Sequence, residues 1–166
     1  KQSGISYQKI LNRILTRDIL VEKTTDLLDT YFADCELEGD KVIQIGSTIN
    51  KYGEDKCCIK HIVTLNTCNP IKDAVVVPCK TEEEVLEEWF KFVRELDPDI
   101  VTGYNIFGFD FKFIYDRAME LDIVDDLGTL GRMRNKELFL EEKNLSSSAL
   151  GENILTYLSM EGRVQM

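Results

Sequence analysis

Histidine is almost missing from this chain: His61 is the only one in 166 residues. It falls in the strand-like run "CIKHIVTL" with no acidic or nucleophilic neighbour in sequence, so a structural role is expected of it. The five cysteines, Cys35, Cys57, Cys58, Cys68 and Cys79, form no C-x-x-C pair. A structural zinc site needs clustered Cys or His ligands, and none is expected here. An odd cysteine count without such spacing suits reduced thiols inside a cell. No apolar run approaches the roughly 18 residues of a membrane span. There is no charged-then-apolar leader that would mark secretion. Repeats and low-complexity tracts are absent, since Ser146 to Ser148 is too short to count as one. Basic residues are also scarce: 20 Lys and Arg stand against 30 Asp and Glu, a net charge of −10. A stand-alone nucleic-acid binder normally carries a basic patch, so that class is disfavoured. A nuclease segment is not, because a carboxylate cluster that holds Mg²⁺ is itself acidic. The first residue is Lys and the last, Met166, falls in a strand-like run, so the chain reads as a piece of a longer polypeptide.

What is present suits one α/β domain with a sizeable core; hydrophobic residues make up 43%. Residues 5–34 read as helical, with Ile10, Leu11, Ile14, Leu15 and Ile19 at spacings of three and four. Thr24 and Thr25 are candidate caps of a second helix carrying Leu27, Leu28, Tyr31 and Phe32. "KVIQIGSTI" and "CIKHIVTL" read as a hairpin across residues 50–56, and "DAVVVPC" as a third strand ended near Pro78. "TEEEVLEEWFKFVREL" is the clearest helix. Thr81 and Glu84 form a capping box, and Val85, Trp89, Phe92, Val93 and Leu96 an apolar stripe. The run Glu82 to Glu84 is expected in solvent at the helix start. "DPD" at 97–99 is a turn, "IVTGYN" a buried strand, and a helix follows from about Phe109 to Leu121. "ELFLEE" and "NILTYLSM" are two further strand candidates, and "GRVQM" opens another. Alternating strands and helices predict a layered α/β fold.

The chemistry concentrates in "DPDIVTGYNIFGFDFKFIYDRA". It describes a buried strand ending near Tyr104 and Asn105, a tight glycine turn, and Asp110 at the start of a helix. Loops at carboxyl ends of strands are where α/β proteins usually place chemistry. A carboxylate there can ligate a hard cation, and Asn105 can donate to a sugar or phosphate oxygen. Both residues also have structural uses: Asp caps helices and Asn favours turns. Spacing alone leaves both readings open.

The segment resembles the second exonuclease motif of family B DNA polymerases, Y-N-x-x-x-F-D, with Tyr104, Asn105, Phe109 and Asp110 all matching. Arg117 and Ala118 match residues that often follow in delta-like enzymes. "KVIQIGSTI" is similar to the strand after the first motif, the Trp89 helix to the one before "DPD", and "MEGRVQM" to the strand leading toward the third motif. The four segments occur in the family's order. The resemblance implies a ribonuclease H-like exonuclease fold, a mixed sheet flanked by helices, truncated at both ends. It implies metal-dependent 3′→5′ proofreading excision of mispaired primer ends during DNA replication, with two Mg²⁺ (or Mn²⁺) ions in the intact domain. Asp110 would be a catalytic metal ligand, and Asn105 and Tyr104 would bind the 3′-terminal nucleotide; Phe109 would pack inward. Implied partners are primer-template DNA, single-stranded 3′ ends, the rest of the polymerase chain and a sliding clamp. The implied setting is the nucleus or a viral replication site.

Two motifs are not found. The family's D-I-E does not occur before "IQIG". Asp34-Cys35-Glu36 has D-x-E spacing but reads as a helix-to-strand linker. The first motif is therefore expected upstream of Lys1, with residues 5–34 an inserted helical segment, as in delta-like polymerases of large DNA viruses of eukaryotes. The third motif is expected beyond Met166, and the fragment by itself is expected to lack activity. Other readings are an inactive exonuclease-like scaffold or nucleic-acid-binding domain, and a stand-alone exonuclease. Residues 134–160 read as a β-hairpin. Its polar tip carries Lys143, Asn144, Ser146, Ser147 and Ser148. In the family, such a hairpin reaches toward the duplex and helps part primer from template.

Overall fold

The element least expected from local pattern is the central one. In the computed structural model, which describes residues 13–22, 40–147 and 151–166, residues Arg13–Glu22 are strand β1, not helix. Ile14, Thr16, Ile19 and Val21 are β-branched and suit a strand. β1 pairs with β2 over Arg13–Glu22 and with β5 over Ile14–Arg17, and this pairing of its backbone outweighs an apolar spacing that also fits a helix. The remainder of the expected 5–34 helical segment, including the Thr24–Thr25 cap, lies outside the described residues. So does Asp34-Cys35-Glu36.

The expected strands follow. β2 (Lys41–Lys51) and β3 (Ile59–Leu65) form the antiparallel hairpin. β4 (Val75–Cys79) runs parallel to β3 at the sheet edge. An edge strand tolerates Pro78, which has no N–H to donate. β5 (Ile100–Gly103) runs parallel to β1, and β8 (Val164–Gln165) parallel to β5. The result is a mixed six-stranded sheet in the order β4-β3-β2-β1-β5-β8. Strands β6 (Leu140–Ser147) and β7 (Gly151–Leu158) form a separate two-stranded hairpin.

Helix α1 (Glu82–Leu96) packs across β2, β3 and β4. Thr81 caps it as expected, its Oγ1 accepting from Glu84 N at 3.3 Å, while Glu84 Oε2 reaches back to Lys80 N at 2.7 Å. Val85, Leu86, Trp89, Phe90 and Val93 are buried against the sheet. Trp89 donates its Nε1 to Ser47 Oγ on β2 at 3.2 Å, so its one polar atom is satisfied in the core. His61 on β3 is structural, as expected: it is buried and stacks on Phe92 of α1 with centroids 3.7 Å apart.

Glu82 departs from expectation. It is buried, not solvated, and forms an ion pair with Arg117 on α2 (Phe111–Glu120). Arg117 Nε donates to Glu82 Oε1 at 2.9 Å, and the same oxygen accepts from Val42 N at 2.8 Å. One carboxylate thus ties α1, α2 and β2 together. A short helix, α3 (Val124–Leu127), follows α2 and contributes Leu127 to the core. Among the described residues, no helix is long and apolar enough to cross a membrane.

Candidate active site

β5 delivers the site. Val101 is fully buried and fixes the strand in the sheet. The strand ends at Gly103, and the chain turns outward at Tyr104, which is 92% exposed. Asn105 adopts the left-handed conformation (φ 52°, ψ 29°), a geometry Asn tolerates better than most residues. Its carbonyl accepts from Gly108 N at 3.0 Å and Phe109 N at 3.2 Å, closing the turn.

A single π-helical turn, Ile106–Asp110, then leads into α2. Such wide turns recur at functional sites because they redirect side chains without ending the helix. Three apolar side chains hold it down. Ile106 is buried; Phe107 meets Tyr157 of β7 at 4.5 Å; Phe109 stacks on Phe113 at 5.2 Å. Phe109 therefore packs inward as expected.

Asp110 stands at the junction, half-buried, with helical backbone angles (φ −59°, ψ −47°). Its side chain makes no capping hydrogen bond to α2. Asn105 likewise makes no side-chain cap to the turn it precedes. The helix-cap explanation of Asp110, open at the level of sequence, thus lacks its defining contact. Asn105 and Asp110 sit at the two ends of one turn.

The backbone of β1 also reaches this end of the sheet. Arg17 pairs with Gly103, so Asp18, one residue further along a parallel strand, lies level with Tyr104 at the same end of the sheet. In sequence, Asp18-Ile19 matches the first two letters of D-I-E, and the third position is Leu20.

An exonuclease of the type resembled requires divalent ions, which bind through clustered hard oxygen donors. Asp110 offers hard oxygen donors of the right kind. Among the described residues, however, no three His, Cys, Asp or Glu side chains stand close enough together to hold a cation. Asp110 fits as one ligand; the described side chains do not complete a site.

The hairpin is present, but its tip is not where the sequence placed it. Lys143, Asn144, Ser146 and Ser147 are strand residues of β6, opposite Leu155, Ile154, Glu152 and Gly151. The antiparallel ladder runs on to the pair Ser147 and Gly151. Ser148 lies outside the described residues. Lys143 pairs with Glu141 at 3.5 Å and lies 4.7 Å over the Tyr157 ring, so it is held along the hairpin flank. Because Tyr157 also meets Phe107, the hairpin is seated directly on the π-helical turn.

A cluster of charges braces the far end of β5. Arg132 donates to Asp97 Oδ1 at 2.7 Å and to Asp99 Oδ1 at 2.8 Å, and Arg163 to Asp97 Oδ1 at 2.8 Å. Burial alone would raise the Asp97 carboxyl, but the two arginines outweigh it and hold the group below its ordinary value.

Comparison with known proteins bears on this arrangement. The family model for the exonuclease domain of DNA polymerase family B matches residues 12–166, so the match begins at β1. The DNA polymerase of Pyramimonas orientalis virus is 52% identical over 128 residues, which cover 77% of this chain and 11% of that protein. The DNA polymerase delta catalytic subunit of Glycine max is 41% identical over 125 residues, covering 75% and 11%. That of Drosophila melanogaster is 40% identical over 129 residues, covering 78% and 12%. The chain therefore spans about one ninth of the length of these relatives.

Proposed function

This chain belongs to the exonuclease domain family of family B DNA polymerases, and we propose from that premise that it is the segment of a replicative polymerase that excises mispaired 3′ primer ends. The observation that carries the reading is Asp110. It is half-buried at the end of the π-helical turn that follows the exposed Tyr104 and Asn105.

The sheet order, with β2 antiparallel to β1 and β5 and β8 parallel to it, supports a ribonuclease H-like fold. Asp110 would contribute one carboxylate toward a pair of Mg²⁺ or Mn²⁺ ions. Such ions, when bound, activate water and stabilise the leaving oxygen. Leu20 stands where the family's pattern has Glu, so further carboxylates come from other parts of the parent chain. Asn105 donates to the sugar or phosphate of the terminal nucleotide, and Tyr104 offers its exposed ring to the same nucleotide. The hairpin β6–β7 faces the duplex and helps keep the primer end apart from the template. Partners on this reading are primer-template DNA, single-stranded 3′ ends, the remaining polymerase domains and a sliding clamp. The setting is the nucleus or a viral replication site.

The test uses the full parent protein with a 5′-labelled single-stranded oligonucleotide and Mg²⁺. Stepwise shortening from the 3′ end, abolished by EDTA, is expected. No shortening, with polymerisation intact, would favour an inactive exonuclease-like scaffold.

A further inference from the structure

Gly108 lies inside the π-helical turn, and its backbone does not require glycine. The described glycines with positive φ are Gly53, Gly128 and Gly162; Gly108 is not among them. Any L-residue can adopt its backbone angles, so the reason for glycine has to be space. The space is filled by Asn105. A Cβ placed on Gly108 would lie 2.4 Å from Asn105 Oδ1, 2.9 Å from its Cγ and 3.0 Å from its Nδ2. The amide of Asn105 is folded against the bare α-carbon three residues on. Two main-chain features fix this approach: the left-handed backbone of Asn105, and the hydrogen bond from Gly108 N to Asn105 O at 3.0 Å.

We propose that Gly108 is a positioning residue for excision: its missing side chain seats the Asn105 amide in the orientation that meets the 3′-terminal nucleotide. This rests on the reading of Asn105 given above. The clash that a methyl group would create is with the far end of an exposed side chain, not with backbone or core. Asn105 can swing away at little cost to the fold. Gly108→Ala therefore separates function from stability: the turn persists, or gains from the loss of a flexible glycine, while the amide points elsewhere.

The experiment compares Asn105→Ala, Gly108→Ala and the double variant in the full-length parent polymerase. Excision of a single-stranded 3′ end is read as KM and kcat, and the melting temperature is taken alongside. Asn105→Ala is expected to raise KM about five- to ten-fold, the worth of one hydrogen bond to substrate. Gly108→Ala should raise KM to a similar degree with an unchanged or higher melting temperature. The double variant should be no worse than Asn105→Ala alone, because without the amide the methyl group displaces nothing. Three results overturn the proposal: wild-type KM in Gly108→Ala beside a raised KM in Asn105→Ala; additive effects in the double variant; or a KM change explained by a fallen melting temperature. A silent Asn105→Ala would instead sink the reading of Asn105, and the role of Gly108 with it.

Discussion

Single side chains decide how firmly the site is held. Glu82 and Arg117 are each only 6% exposed and lie on different helices, and Glu82 also accepts from Val42 N. Arg117→Ala leaves a buried carboxylate unpaired and should destabilise the domain by about 3–5 kcal/mol. Replacing both residues by Leu and Met should recover most of that loss, though not the acceptor for Val42 N. Hydrogen exchange of the α1 and α2 amides in the parent would read both outcomes; an Arg117→Ala effect below about 1 kcal/mol would contradict the pairing. The partnership was invisible in sequence because the two residues lie 35 positions apart; the local pattern showed only an acidic helix start. His61 yields a pH prediction. Burial pushes its pKa below the ordinary 6.5, with Glu88 partly opposing. A group whose folded pKa is depressed contributes stability above its unfolded pKa and loses it as pH falls toward the folded one. Stability should therefore decline from about pH 6.5 downward, and His61→Phe, which keeps the stack on Phe92, should flatten that decline. Identical pH profiles for wild type and variant would show that His61 does not titrate against burial.

Elements differ in how openly they declare themselves. α1, the β2–β3 hairpin and the strand–turn–helix around Asp110 were legible because local signals agreed: a capping box, β-branched alternation, and a motif of fixed spacing. β1 was not, since Ile14, Leu15 and Ile19 satisfy helical and strand patterns alike, and only pairing with β2 and β5 decides between them. The hairpin was found, but its tip was misplaced because polar residues such as Asn144 and Ser146 look like loop when they are exposed strand. Its seat on the π-helical turn through Tyr157 and Phe107 gives it a place beside the site. Cutting the hairpin back by joining Asn144 to Ile154 through a two-residue turn should impair excision from a paired primer several-fold and spare a single-stranded end. Parting base pairs costs a few kcal/mol, and only the paired substrate incurs that cost. Equal rates on both substrates, before and after shortening, would make the hairpin a structural cover only.

At the scale of the whole molecule, the chain is acidic and spans about one ninth of the length of its relatives. The sheet places Asp18, Tyr104, Asn105 and Asp110 at one end, while the Arg132–Asp97–Arg163 cluster braces the other. Family membership follows from the match over residues 12–166; the assignment of excision to this end of the sheet rests on Asp110. The most direct measurement is therefore Asp110→Ala in the full-length parent, assayed side by side for removal of a mispaired 3′ end and for primer extension. The account predicts excision reduced at least about a hundred-fold, equivalent to several kcal/mol of lost transition-state stabilisation, with extension from a matched primer nearly unchanged. Excision lowered only two- or three-fold, or lost together with extension, would contradict it and leave Asp110 a structural residue of the turn.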